Sequence, residues 1–106
     1  SEATDTAHSV LPFNLAVPNQ EGGERVGLLV SELPRTTIVT QTDNYLHAEC
    51  RSALFGFVDD LELHLKAANA VIDVRSSSRL GYSDMGVNRR RVERLRSQLM
   101  ERGVVR

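Results

Sequence analysis

The sequence predicts an α+β fold: a two-layer sandwich in which a four-stranded antiparallel meander carries an N-terminal and a C-terminal helix on one face. Three observations predict it. Val26, Leu29, Val30 and Leu33 fall at i, i+3, i+4 and i+7, one face of a helix. Leu61, Leu63 and Leu65 alternate with Asp60, Glu62 and His64, the period of a half-buried strand. Val92, Leu95 and Leu99 then return to a helical stripe ahead of Gly103. Two amphipathic helices and a one-sided sheet can bury their apolar faces only against each other. The chain of 106 residues is long enough for one such core, so 1–106 is read as a single domain.

Residues 1–22 form an irregular segment, because Pro12, Pro18, Asn19, Gly22 and Gly23 interrupt any regular period. It is expected to lie over the core on Val10, Leu11 and Phe13, with a short extended piece between His8 and Leu15. The first helix runs over about 24–33 and stops at Pro34, which has no N–H and clashes with the preceding turn. Strands follow at about 36–41, which is β-branched, and at 45–52, beyond the turn chemistry of Thr42-Asp43-Asn44. The third strand spans about 57–65, residues 67–70 make a loop, and the fourth strand spans about 71–75. The closing helix covers about 88–102. One register sets Glu49 opposite Asp60, His47 opposite Glu62 and Tyr45 opposite His64; its neighbour sets Glu62 opposite Arg75 and His64 opposite Asp73. Both keep polar residues on one face and send Leu46, Ala48, Cys50, Leu61, Leu63, Ile72 and Val74 to the other. Glu49 against Asp60 is a like-charge pair that Arg51 or Arg75 must relieve.

Composition narrows the function classes. No apolar run approaches the roughly 20 residues of a spanning helix. A single cysteine, Cys50, excludes an internal disulfide framework and a cysteine-based metal cluster, and it reads as a small core residue. Two Tyr, three Phe and no Trp argue against stacking platforms for single-stranded nucleic acid. The net charge of −1 hides an asymmetry, −7 over residues 1–74 and +6 over 75–106, where nine arginines gather. The basic part carries a good apolar stripe and is no free arm, so the halves are expected to neutralise each other in the fold and nucleic acid is not an expected partner. The first residue is Ser1, as in a processed or trimmed product, so the lack of a signal peptide, lipid anchor or membrane helix in these residues carries no meaning.

Three features between Phe57 and Val92 mark a candidate site. Asp59 falls on the core face, where a carboxylate needs a cation, backbone donors or a bulge. Arg75-Ser76-Ser77-Ser78-Arg79 leaves the fourth strand and leads through Gly81, Ser83, Asp84 and Gly86 to the helix; it reads either as a nest of donors for an anion or as a self-satisfied loop. Arg89, Arg90 and Arg91 crowd the first helical turn, where cations oppose the macrodipole and call for a negative partner, with Arg91 facing inward and Arg90, Arg94 and Arg96 in solvent. The expected ligand contacts are Arg75, Ser76, Ser78, Arg79, Asn88 and Arg91, ordered by Asp59, Asp60, Ser83, Asp84, Gly81 and Gly86. No nucleophile elbow, phosphate loop or dinucleotide fingerprint is present, and no cofactor is expected. His47, His64 and Asp73 share a polar strand face, a loose set for a metal-dependent hydrolase; solvated histidines are the plainer reading.

At Phe57-Val58-Asp59-Asp60-Leu61-Glu62, and again from Val74-Arg75-Ser76-Ser77-Ser78-Arg79-Leu80-Gly81-Tyr82-Ser83-Asp84 through Met85 to Glu93, the chain resembles domain of unknown function family 1499 of bacteria and plastid-bearing eukaryotes. Weaker similarity runs back through Leu33-Pro34-Arg35-Thr36 to His8 and Pro12. The family's usual Asn-Cys-Val-Ser start is missing before Ser1, and Ser77 and Met85 stand where Ala and Leu are more usual. The resemblance implies an envelope location through a lipoprotein-type or membrane-anchoring N-terminus, and it brings no activity with it. Two readings follow: a non-enzymatic binding module for a small anion or a phosphorylated or carboxylated ligand, or a structural or protein-interaction domain in which the same residues lock the loop to the sheet.

Overall fold

The computed structural model describes residues 11–52, 56–79 and 85–106. Its elements are β1 (Phe13–Asn14), α1 (Asn19–Glu32), β2 (Thr36–Gln41), β3 (Tyr45–Arg51), β4 (Val58–Lys66), a single 3-10 turn (Ala67–Asn69), β5 (Val71–Ser78) and α2 (Met85–Glu101). The five strands form one open antiparallel sheet in the order β1-β5-β4-β3-β2. Val26, Leu29 and Val30 of α1 and Val92, Leu95 and Leu99 of α2 share one core with Leu46, Ala48, Leu61, Leu63, Ile72 and Val74 of the sheet.

The two expected registers are present: Glu49 pairs with Asp60, His47 with Glu62 and Tyr45 with His64, then Glu62 with Arg75 and His64 with Asp73. Because strand side chains alternate, these pairings send Leu46, Ala48, Cys50, Leu61, Leu63, Leu65, Ile72 and Val74 to the helical side and leave Tyr45, Val58 and Val71 on the outer one. β2 is the mostly exposed edge strand, and its pairing with β3 shifts between Ile38 and Thr40, a bulge at Val39.

Five expectations need correction. The sheet has a fifth strand, β1, in which Phe13 pairs with Ile72. Phe13 is fully buried, but Leu11 is 77% exposed and does not anchor the segment; Leu15 does so instead. His8 and Val10 lie outside the described residues. α1 begins at Asn19 rather than near 24, with Pro18 at its cap, because Gly22 admits a close approach and does not break the helix. A Cβ at Gly22 would lie 2.6 Å from Leu15 Cδ2. β5 continues to Ser78, so Ser76, Ser77 and Ser78 are strand residues and not a loop. α2 begins at Met85, which moves Arg89, Arg90 and Arg91 beyond the first turn, where the macrodipole acts most strongly.

The far end of α2 closes the fold. Gly103 has φ +73°, its N–H donates to Met100 O at 3.0 Å, and the Val104 N–H donates to Leu99 O at 2.9 Å. This is the double bond of a Schellman cap, with buried Val104 over buried Leu99. The tail then bridges Leu15 through Val105, and the Arg106 N–H donates to Asn14 O. The Gly103→Ala variant, which forces a Cβ into the left-handed region, is expected to lose about 1 kcal/mol in urea unfolding.

Candidate functional site

The expected site residues fall on opposite faces of the sheet. Ser76, Ser78 and Asp59 point to the helical side, where α2 presents Asn88 and Arg91. Arg75 and Arg79 belong to the outer face, so the structure does not bring them to Asn88 and Arg91. Gly86 is half-buried in the first turn of α2. Gly81, Ser83 and Asp84 lie outside the described residues.

On the helical side, Arg91 Nη2 meets Asp59 Oδ2 at 2.9 Å, with side chains only 19% and 12% exposed. Arg91 Nη1 donates to Ser76 Oγ and to Asn88 Oδ1, both at 2.9 Å. The Ser76 hydroxyl donates to Asn88 Oδ1 at 2.7 Å, and Asn88 Nδ2 donates to Ser78 Oγ at 3.1 Å. The local cause is the three-residue spacing of Asn88 and Arg91, which places them on neighbouring turns over one patch of sheet. The patch is continuous because Asp59 and Ser78 are register partners and Ser76 is two residues back along β5. Asp59 therefore meets its need for a cation through Arg91.

On the outer face, Arg79 forks onto Asp60, with Nε at 3.0 Å from Oδ2 and Nη2 at 2.9 Å from Oδ1, and Nη2 also reaches Glu49 Oε2 at 2.5 Å. Arg79 thus relieves the Glu49–Asp60 pairing, the task expected of Arg51 or Arg75; Arg51 contributes only a 3.7 Å contact to Glu49. His47 Nε2 lies 2.7 Å from Asp60 Oδ1. The hydrogen bonds from Arg79 hold the Asp60 carboxyl below the usual carboxylate range against the opposing effect of burial, with His47 assisting. The same pairing pushes the Arg79 guanidinium higher still. The Tyr45 hydroxyl donates to Glu62 at 2.7 Å, which raises its pKa, and its ring meets His64 edge-on. Arg96 is not in solvent as expected: it pairs with Glu93, donates to the Leu11 and Pro12 carbonyls and stacks 4.9 Å over the Phe13 ring.

A third arrangement was missed by sequence reasoning. Arg35, Arg51, Arg90, Arg91 and Arg94 line one groove of about 190 Å³ at the junction of the α1 C-terminus, the open end of the β2–β3 hairpin and α2. Arg35 follows the helix-ending proline with φ +54°, and its Nε donates to Arg51 O at 3.3 Å. Among the described residues Arg90 and Arg94 have no ion pair within 4.0 Å. Gln98 lines the same groove, with its Oε1 buried and without a hydrogen-bond partner. Two signals were available: Arg90 and Arg94 are four apart on a helix, and the pairing of Thr36 with Cys50 carries Arg35 to Arg51.

Fold and site together define a two-layer α+β domain with a polar lock between its last helix and its sheet, and an arginine-lined groove beside that lock. The chain belongs to the family described as protein of unknown function DUF1499, whose model matches residues 1–99. No curated protein and no solved structure matches it.

Two predictions follow from the ion pairs. Arg91→Met, which strands the Asp59 carboxylate, is expected to cost about 3–5 kcal/mol in urea unfolding, whereas the Asp59→Leu/Arg91→Met double variant costs much less. For Asp60, whose folded pKa lies below its unfolded value, the stabilisation is fully present above about pH 4 and is lost as pH falls through the lowered folded value. Acid unfolding should thus show a flatter loss of Tm below pH 4 for Asp60→Asn and for Arg79→Ala than for the parent, and Arg79→Ala should melt lower at pH 7.

Proposed function

We propose that this chain is a non-enzymatic binding module that recognises an anionic group in the arginine-lined groove along the middle of its last helix. The observation that carries this reading is that five arginines line one groove of about 190 Å³, three of them, Arg35, Arg90 and Arg94, without a carboxylate partner among the described residues. Like charges gathered in one concave space repel, and an anion entering it turns that repulsion into attraction. Guanidinium forks match the oxygens of phosphate and carboxylate in pairs. The unpartnered acceptor of Gln98 adds a place for a hydroxyl, as a hydrogenphosphate carries.

The alternative, a structural or protein-interaction domain, draws its support from Arg79 and from the Asp59–Arg91 pair, which are already occupied by carboxylates. The two readings divide the arginines: Arg79 and Arg91 lock the sheet, while Arg35, Arg90 and Arg94 remain to meet a ligand, with Arg51, 3.7 Å from Glu49, beside them.

Titration with inorganic phosphate at constant ionic strength tests the proposal. A ligand at one hundred times its Kd stabilises the native state by about 2.7 kcal/mol, a readily measured rise in Tm. The rise is expected in the parent and not in Arg90→Gln/Arg94→Gln, which should melt as the parent does without phosphate. No rise in the parent, or an equal rise in the variant, overturns the reading.

A further inference from the structure

At the other end of the β2–β3 hairpin lies a larger cleft, of about 670 Å³, between the N-terminal half of α1 and the sheet. Its volume is that of small-molecule sites in general, which are concave, apolar at the base and polar at a few points. The floor is Leu46, Leu63, Leu65 and Ile72, the last apolar row of the inner sheet face. The rim carries two carboxylates, Glu24 on α1 and Asp43 in the hairpin turn, and among the described residues no Lys, Arg or His lines the cleft. Among the described residues neither Glu24 nor Asp43 has an ion pair.

The helix keeps this space open. At Gly27 an added Cβ would push aside the side-chain amide of Gln41, which gives that glycine a packing reason of modest cost. Gly23, one turn earlier and also lining the cleft, has no such reason: a Cβ there would meet nothing nearer than Asp43 O at 3.9 Å. A glycine inside a helix is a weaker helix former than almost any replacement. Here it preserves volume and makes no contact.

We infer that the cleft binds a small cationic amphiphile, with its hydrocarbon body on the leucine floor and its ammonium head paired to Glu24 and Asp43. Apolar burial favours the body, and the rim selects the sign of the head. This site is separate from the arginine groove and of opposite charge, and it does not depend on the anion reading.

The probe is decyltrimethylammonium below its micellar concentration, followed by methyl NMR at Leu46, Leu63, Leu65 and Ile72. Decyl sulfate serves as the same body with the opposite head. Saturable shifts of these methyls are expected with the ammonium probe, and weaker ones with the sulfate. Gly23→Leu, which fills the cleft while improving the helix, should weaken binding by at least about tenfold without lowering Tm. Glu24→Gln/Asp43→Asn should erase the preference between the two heads. Methyls that do not move, equal binding of both probes to the parent, or undiminished binding by Gly23→Leu would each overturn the inference.

Discussion

The Asp59–Arg91 pair is the constraint around which the helix–sheet joint is arranged. A carboxylate on the inner face of β4 is tolerable only with a cation and hydrogen-bond partners within reach, and both come from α2. Once Arg91 is directed there, its second nitrogen needs acceptors, which Ser76 and Asn88 supply, and the Asn88 amide in turn needs Ser78. Such a cluster adds little stability over well-packed apolar side chains. It does penalise any sliding of α2 along the sheet, because each displacement strands a buried charge.

Net charge alone conceals how the molecule distributes its ions. Carboxylates of the middle strands neutralise Arg79 and Arg91, and Glu93 holds Arg96. Arg35, Arg90 and Arg94, without an ion pair among the described residues, line the groove at the open end of the β2–β3 hairpin, and two of the remaining carboxylates stand at its turn end. The hairpin therefore separates a positive recess from a negative one along its own length, a separation that no sum over the sequence could reveal.

The sequence read most clearly where one periodicity had one physical solution. The alternation of β4 dictated which residues face inward, and the charges on its other face selected the register that brings Glu62 to Arg75. Asp59 was legible as an anomaly for the same reason, as was the inward turn of Arg91. Illegible were features set by close tertiary approach. Gly22 and Gly23 look like helix breakers until Leu15 is seen against the first of them, and the two-residue strand at Phe13 has no periodicity to detect. The serines of β5 looked like a loop because their composition suits turns, yet they alternate between α2 and the outer face. That alternation also divided the expected site: Arg75 and Arg79 share parity with each other and not with Ser76 and Ser78. The arginine groove required the packing of α2 against the hairpin end, which neither i,i+4 spacing nor strand register specifies.

The irregularity at Val39 has a consequence for self-association. A sheet that ends in a straight strand offers its outer row of amides and carbonyls to any copy that drifts past. Here the row is interrupted: Thr36–Ile38 and Thr40–Gln41 keep separate registers on either side of the extra residue. An incoming strand could follow only a few residues before losing step, too short a run to seed a fibril, so the border of the sheet is also its safeguard against polymerisation.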